Sequence, residues 1–293
     1  MFVLAHLTDP HLAPVPPPSP AELFGKRALG FLNWKRKRGA IHRPDVLDAL
    51  MRDLKARAFD HLAVTGDLVN IALNAEFGPA HAWLERLGVP QDVTLVPGNH
   101  DIYVRGTAER ARQTWNAYVR GDELEHFPFV RRRGPLALIG LSSALPTSLL
   151  MSTGKIGEEQ LENLESALAA TGREGRFRVV LIHHPPASRW SQFHKRLIDA
   201  PGLRAVLRRQ GAELLLHGHA HVRSVRWLDG PNPIPAIGAP SASASPSESD
   251  EPAAYHLFEI DGKAGAWRCT MIARGFSRGE GAVGELMRQI LAG

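Results

Sequence analysis

Val93-Thr-Leu-Val-Pro-Gly-Asn-His-Asp101 joins a short apolar run to a polar turn in nine residues. Val93, Leu95 and Val96 form a short apolar run that reads as a buried strand, and Pro97-Gly98 ends it abruptly. Asn99, His100 and Asp101 follow at once, at the carboxyl end of the strand, where open α/β sheets bind ligands. Alone, Asn-His-Asp is an ordinary polar turn. Four other strand-like segments end the same way. Phe2–Leu7 runs into Asp9-Pro-His11, and His61–Thr65 into Gly66-Asp67-Leu-Val-Asn70. Arg178–Ile182 runs into His183-His-Pro-Pro186, and Ala212–Leu216 into His217-Gly-His219-Ala-His221.

Between these strands lie segments of helical spacing: Pro44 onward (Leu47, Leu50, Met51, Leu54), Ala75–Leu87, Thr107–Val119, Glu158–Ala170 and Leu203–Arg209. Phe127–Arg132 with Pro135–Leu141 reads as a strand pair, placing Arg131-Arg-Arg133 on an exposed hairpin. Past His221 the pattern is strand-rich: Val222–Trp227, Tyr255–Ile260 and Ala266–Ile272. The expected fold class is α/β, with two sheets face to face and helices outside, in one domain spanning 1–293. The Ser/Ala/Pro stretch from Ala239 to Pro252 reads as a mobile low-complexity loop.

A 44% hydrophobic and 22% charged composition is that of a soluble globular chain. The single cysteine, Cys269, excludes an internal disulfide framework and suits a cytoplasmic setting. The first residues lack the pattern of a signal peptide, and no apolar run approaches the ~20 residues of a membrane span. Neither a Walker loop nor a dinucleotide fingerprint is present. Net charge is +5, a weak bias toward anionic partners, and no nucleic-acid-binding signature accompanies it, so nucleic acid is not an expected partner.

The five strand ends deliver Asp9 and His11, Asp67, Asn99 and His100, His183, and His219 and His221, oxygen and imidazole donors suited to borderline or hard divalent cations. Asp-x-His and His-x-His skip one residue, so in an extended segment both side chains of each pair point the same way. A single strand-end histidine is usually just packed, but five strand ends carrying such cargo point to one metal site.

In these five motifs and in their order, the chain resembles the calcineurin-like metallophosphoesterases, and their wording is similar to that of bacterial 3',5'-cyclic-nucleotide phosphodiesterases. The resemblance implies a four-layer α-β-β-α sandwich holding two metal ions, with manganese, iron and zinc all compatible. By motif, it gives Asp9, His11 and His221 to one metal, Asn99, His183 and His219 to the other, and Asp67 to both. His100 becomes the acid/base beside the leaving group and Asp101 a carboxylate that orients His100 or stabilises the turn; His184 is left as a supporting or substrate contact. Two cations ~3.5–4 Å apart stabilise the attacking and leaving oxygens of an in-line displacement and acidify a bridging water. The implied activity is a metal-dependent phosphodiesterase acting on a phosphorylated small molecule. The alternative is hydrolysis of the pyrophosphate in a lipid-linked nucleotide, UDP-2,3-diacylglucosamine, at the membrane surface. A nuclease comes third, and a non-catalytic scaffold ranks lower still, since every expected ligand is present.

One feature falls outside the motifs. A basic, aromatic helical insertion around 20–40 carries Phe31, Trp34, Lys35, Arg36, Lys37 and Arg38. It reads as a solvated helix face, as a cap on the site, or as a peripheral contact with an anionic inner-membrane surface.

Overall fold

In the computed structural model, which describes residues 1–187, 190–279 and 281–292, twelve strands form two six-stranded sheets. The first comprises β1 (Phe2–Leu7), β2 (His61–Val64) and β3 (Val93–Leu95), extended by β10 (Ala254–Asp261), β11 (Arg268–Phe276) and β12 (Val283–Ala292) in the order β12-β11-β10-β1-β2-β3. The second comprises β4 (Phe129–Arg133), β5 (Leu136–Gly140), β6 (Phe177–Leu181), β7 (Leu214–His217), β8 (Ser224–Leu228) and β9 (Ile234–Gly238) in the order β4-β5-β6-β7-β9-β8. β1, β2 and β3 run parallel, as do β5, β6, β7 and β9, so their carboxyl ends gather along one edge of each sheet.

Alternation along each strand decides which layer a side chain joins. Leu4, Ala63 and Phe258 of the first sheet pack against Phe129, Leu138, Val179 and Leu216 of the second, which is the core between the sheets. The opposite faces are covered by helices. Ala5, Leu7 and Val64 meet Leu47, Leu50 and Leu54 of α3 (Pro44–Lys55) and Phe77 and Trp83 of α4 (Asn74–Leu87). Ile139, Val180 and Leu215 meet Leu164 and Leu168 of α6 (Glu158–Arg173) and Leu203 and Leu207 of α7 (Ala200–Gln210). The expected four layers are there. The remaining helices are α1 (Lys26–Asn33), continued by a π turn at Trp34–Arg38 and by α2 (Gly39–Ile41), and α5 (Thr107–Trp115).

Two expectations are corrected. The Ala239–Pro252 stretch is not a mobile loop in its first half, because Ser241, Ala242, Ser243, Ala244 and Ser245 are buried. Small side chains let this backbone pass under the strand ends, where Ser241 Oγ donates to the Asp9 carbonyl at 2.6 Å. Arg131 lies on the β4–β5 hairpin but points inward. Its guanidinium donates to the carbonyls of Pro90, Val93, Ala117 and Arg120, fastening the hairpin to the first sheet.

Candidate metal centre

The five motif loops leave the carboxyl ends of β1, β2, β3, β6 and β7 and converge where the two sheets meet. They are not extended segments as the spacing predicts. Asp9, His11, Asp67, His219 and His221 all lie in the left-handed region, with φ of 51°, 39°, 56°, 65° and 54°. Elsewhere among the described non-glycine residues only Ala72 and Leu150 do so. For such residues this conformation costs about 1–2 kcal/mol each and needs outside support. The support is a ladder of bonds between loops: Asp9 N–H to the Gly66 carbonyl (3.0 Å), His11 N–H to Asp67 (3.0 Å), Leu12 N–H to Leu68 (2.8 Å) and Gly218 N–H to His183 (3.1 Å). Gly98 lies so close to Asp67 and His183 that a methyl group there would overlap both side chains.

Asp101 provides much of the rest. Its carboxylate accepts the N–H groups of Asp67 (2.8 Å), Leu68 (2.8 Å), Val69 (3.1 Å) and Gly98 (2.8 Å). Of the two roles expected for it, this is the turn-stabilising one and not the orienting one, because the His100 ring takes its Nδ1 partner from the Asn70 carbonyl instead. Asp101 is a positioning residue for the loop that carries Asp67. Burial, joined by the nearby Asp67 carboxylate, pushes its pKa up to about 7 against the pull of those N–H donors. Glu76, which sequence reasoning missed, does the same for the other half of that loop by accepting the N–H groups of Asn70, Ile71 and Leu73. A glutamate three residues into a helix was the available signal.

Among the described residues the polar atoms gather into three overlapping groups, of which two share the Asp67 carboxylate and the third joins His42 to His11 and His221. Asp9, His11, Asp67 and His221 place ligand atoms within 4.8 Å of one another, and so do Asp67, His183 and His219. Asn99 Oδ1 is 3.1 Å from His183 Nε2, on the second group. Each expected ligand is therefore beside its expected partners. The donor set fits divalent cations on three observations. His219 Nε2 is buried with no hydrogen-bond partner. His11 Nε2 and His221 Nε2 face each other at 3.3 Å. His183 donates Nδ1–H to the Thr65 carbonyl at 2.7 Å, turning Nε2 toward Asp67 at 3.4 Å. The pocket calls for positive charge: burial opposes a charged His183, yet Asp67 and Asp9 outweigh it and push its pKa up to about 9. His184 is buried behind this cluster, bonded to Ser143 Oγ (2.8 Å) and packed on the His219 ring.

The basic insertion reaches the same place. Arg38 Nη2 lies 2.9 Å from His11 Nε2, and Arg38 Nη1 lies 2.9 Å from His100 Nε2. Trp34, expected as a membrane-facing side chain, is instead turned inward and stacks on His42 (7° between planes), whose ring packs on His11 at 4.4 Å. Phe31 is half-buried under the Lys35 ammonium. Lys26 Nζ sits over the Tyr103 ring at 4.4 Å, and that ring stacks on His100 at 5.4 Å. Arg38 and His42 are site residues that no spacing rule revealed, because each is brought in by packing of the insertion.

The family model described as calcineurin-like phosphoesterase matches residues 2–223. A Synechococcus protein named "Probable cyclic nucleotide phosphodiesterase" is 26% identical over 238 residues, covering 79% of this chain and 83% of its own. Among solved structures, a dimetal phosphatase from Danio rerio superposes with a TM-score of 0.62 at 14% identity, covering 99% of this chain and 98% of that one. A purple acid phosphatase from yellow lupin superposes with a TM-score of 0.58 at 14% identity, covering 97% of this chain and 52% of that one. At such identities these two structures bear on the fold alone.

Proposed function

The chain belongs to the calcineurin-like phosphoesterase family, and from that premise we propose that it hydrolyses a phosphodiester, with a 3',5'-cyclic nucleotide as the first candidate substrate. The observation that carries the reading is the Asp67 carboxylate standing in both ligand groups, which suits a dinuclear centre. Asp9, His11 and His221 would hold one ion, Asn99, His183 and His219 the other, and Asp67 both. When bound, such ions supply positive charge at the phosphoryl group and make a water acidic enough to attack near neutral pH.

The chain's own residues do the rest. His100 Nδ1–H donates to the Asn70 carbonyl, which leaves Nε2 as the atom that gives and takes a proton. Burial and the Arg38 guanidinium hold its pKa well below the ordinary imidazole range, so the resting ring is neutral. Tyr103 fixes its plane by stacking. His100 N–H donates to Asp67 Oδ1 at 2.7 Å, tying the acid/base residue to the shared ligand. The relative's printed name supports the cyclic-nucleotide choice. The test is turnover of bis(p-nitrophenyl) phosphate and of cyclic nucleotides by protein loaded with manganese, iron or zinc, with metal content measured alongside. Protein that holds two equivalents of metal and cleaves no diester would overturn the proposal.

A second reading, an amphipathic lipid-linked substrate met at an anionic membrane, is favoured by one observation. Phe24 and Leu150 are 81% and 85% exposed, on segments joined by Lys26 Nζ, which bonds to Thr147 Oγ1 and the Met151 carbonyl. From Phe24 to Arg43 the chain has seven lysines and arginines and no acidic residue. No helix among the described residues is long and apolar enough to cross a membrane. The contact would be peripheral, made by Phe24 and Leu150 rather than Trp34. Flotation with anionic vesicles should be lost in the double variant Phe24→Ser, Leu150→Ser. Equal flotation of variant and wild type would dispose of the membrane contact, and UDP-diacylglucosamine left intact would dispose of the lipid-linked substrate.

A further inference from the structure

Arg38 is a guanidinium without an anion. It is partly buried, at the end of the π turn, and among the described residues it makes no salt bridge. Its hydrogen-bond partners are two imidazole rings, His11 and His100. Both rings have their Nδ1 turned to a backbone carbonyl, His11 to Val69 at 3.3 Å and His100 to Asn70. Each therefore offers only the Nε2 lone pair to the guanidinium, and Arg38 bridges the gap between a candidate metal ligand and the candidate acid/base. A charged group drawn out of water normally finds a counter-charge. Here, among the described residues, no carboxylate is in contact, and Asp67, Asp9 and Glu76 act on it only from a distance.

We propose that Arg38 is the phosphate-gripping residue of this site, its guanidinium holding the non-bridging phosphoryl oxygens of the substrate between His11 and His100. The inference rests on the phosphoester reading and assigns the basic insertion a function in that site. A cation that takes the His11 Nε2 lone pair leaves the Nη2–H of Arg38 without its acceptor, and a phosphoryl oxygen is the acceptor that the reaction brings. Guanidinium suits this task because its fixed fork of N–H donors matches two oxygens of one phosphate. The fork is aimed from three sides. Trp34, four residues earlier on the same helical run, is anchored on His42, Gly39 follows directly, and His42 N–H closes the turn on the Arg38 carbonyl at 2.9 Å. The Lys26 ammonium, over Tyr103, adds positive charge on the same side of His100.

The experiment measures inorganic phosphate binding by calorimetry to the metal-loaded full-length protein and to Arg38→Ala, Arg38→Lys and Lys35→Ala, with metal content determined for each. Arg38→Ala should weaken phosphate binding about 10- to 100-fold with metal content unchanged. Arg38→Lys should recover part of the loss, since it keeps the charge and not the fork; it also keeps the test open if the alanine variant does not fold. Lys35→Ala, an exposed neighbour with the same charge change, should bind as wild type. With a diester that turns over, Arg38→Ala should raise KM more than it lowers kcat. Unchanged phosphate affinity in Arg38→Ala would overturn the proposal, as would loss of metal or an equal loss in Lys35→Ala. Phosphate binding that depends on Arg38 in a protein that cleaves no diester would sink the phosphodiesterase reading and leave Arg38 standing.

Discussion

The motif loops and the basic insertion meet at the same few atoms, yet they are built in opposite ways. The loops are nearly solvent-free, and Asp9, His11, Asp67 and His183 are almost wholly buried. Their backbones are strained and locked to each other by main-chain bonds and by the Asp101 and Glu76 carboxylates. The insertion is mostly right-handed helix with an exposed outer face, and among the described residues it reaches the site through the side chains of Lys26, Arg27, Trp34 and Arg38, with His42 just beyond it. The difference teaches a division of labour. A rigid sheet edge fixes where ligand atoms stand, because a displacement of an ångström would spoil their geometry. A helix held by side-chain contacts can differ between relatives without moving that edge.

The largest effect is expected at Asp67. Asp67→Ala should empty both ligand groups together and reduce hydrolysis to background, measured by metal content and turnover; one ion retained at full occupancy would mean that the groups are independent. His100→Ala comes next. It should keep metal and lose about 10²- to 10⁴-fold in kcat, most with poor leaving groups. If metal is lost as well, His100 belongs to the ligand shell.

Asp101→Asn sharpens the loop side. One of its two oxygens becomes an N–H donor facing backbone N–H groups, so metal affinity should fall about 10- to 100-fold. Because it contacts no substrate, KM in excess metal should change little, and a large KM effect would place it in the substrate pocket. Trp34→Ala sharpens the insertion side. Removing the ring under His42 should raise KM several-fold through a loosened Arg38, with metal affinity nearly unchanged. Equal KM values would show that the insertion aims Arg38 without it.

The smallest effect on activity is expected far from both regions. Asp53 bonds Arg274 (2.9 Å twice), Tyr255 Oη (2.6 Å) and Arg57, joining α3 to β10 and β11. Burial opposes its ionisation, but these donors win and hold its pKa at about 2, against an ordinary carboxylate value near 3.9. Because the folded value is the lower one, the contribution is complete above the ordinary carboxylate range and is lost as pH falls through about 2. Asp53→Asn should cost roughly 1–2 kcal/mol in denaturant unfolding at pH 7, converge with wild type near pH 2, and leave kcat/KM intact.

Much of this was legible in the chain. Short apolar runs of strand length, each stopped by Gly or Pro and followed by Asp, Asn or His, located all five strand ends; the helix spacings located α3 to α7. What misled was local reading of features whose meaning is not local. Ser241 to Ser245 look like a loose linker because small polar residues carry no periodic signal, yet their size is what lets them pass under Asp9. Arg131 looks like surface charge, and becomes a buried clamp because four carbonyls happen to end around it. Asp101 was adjacent to His100 in sequence, which suggested a pair; in space, neighbours in a tight turn point apart, and its carboxylate met the β2 loop instead.

The chemistry of the donors and their placement at strand ends can be read from the chain alone, because a strand, its terminator and the residue after it are contiguous and obey short-range rules. Long-range packing settled that Asp9, His11, Asp67, His219 and His221 sit in left-handed turns and that Arg38 bridges His11 and His100. The reason is separation along the chain. His11 lies 27 residues from Arg38 and 210 from His221, and contacts across such distances are fixed by how sheets and helices pack, for which no local pattern exists.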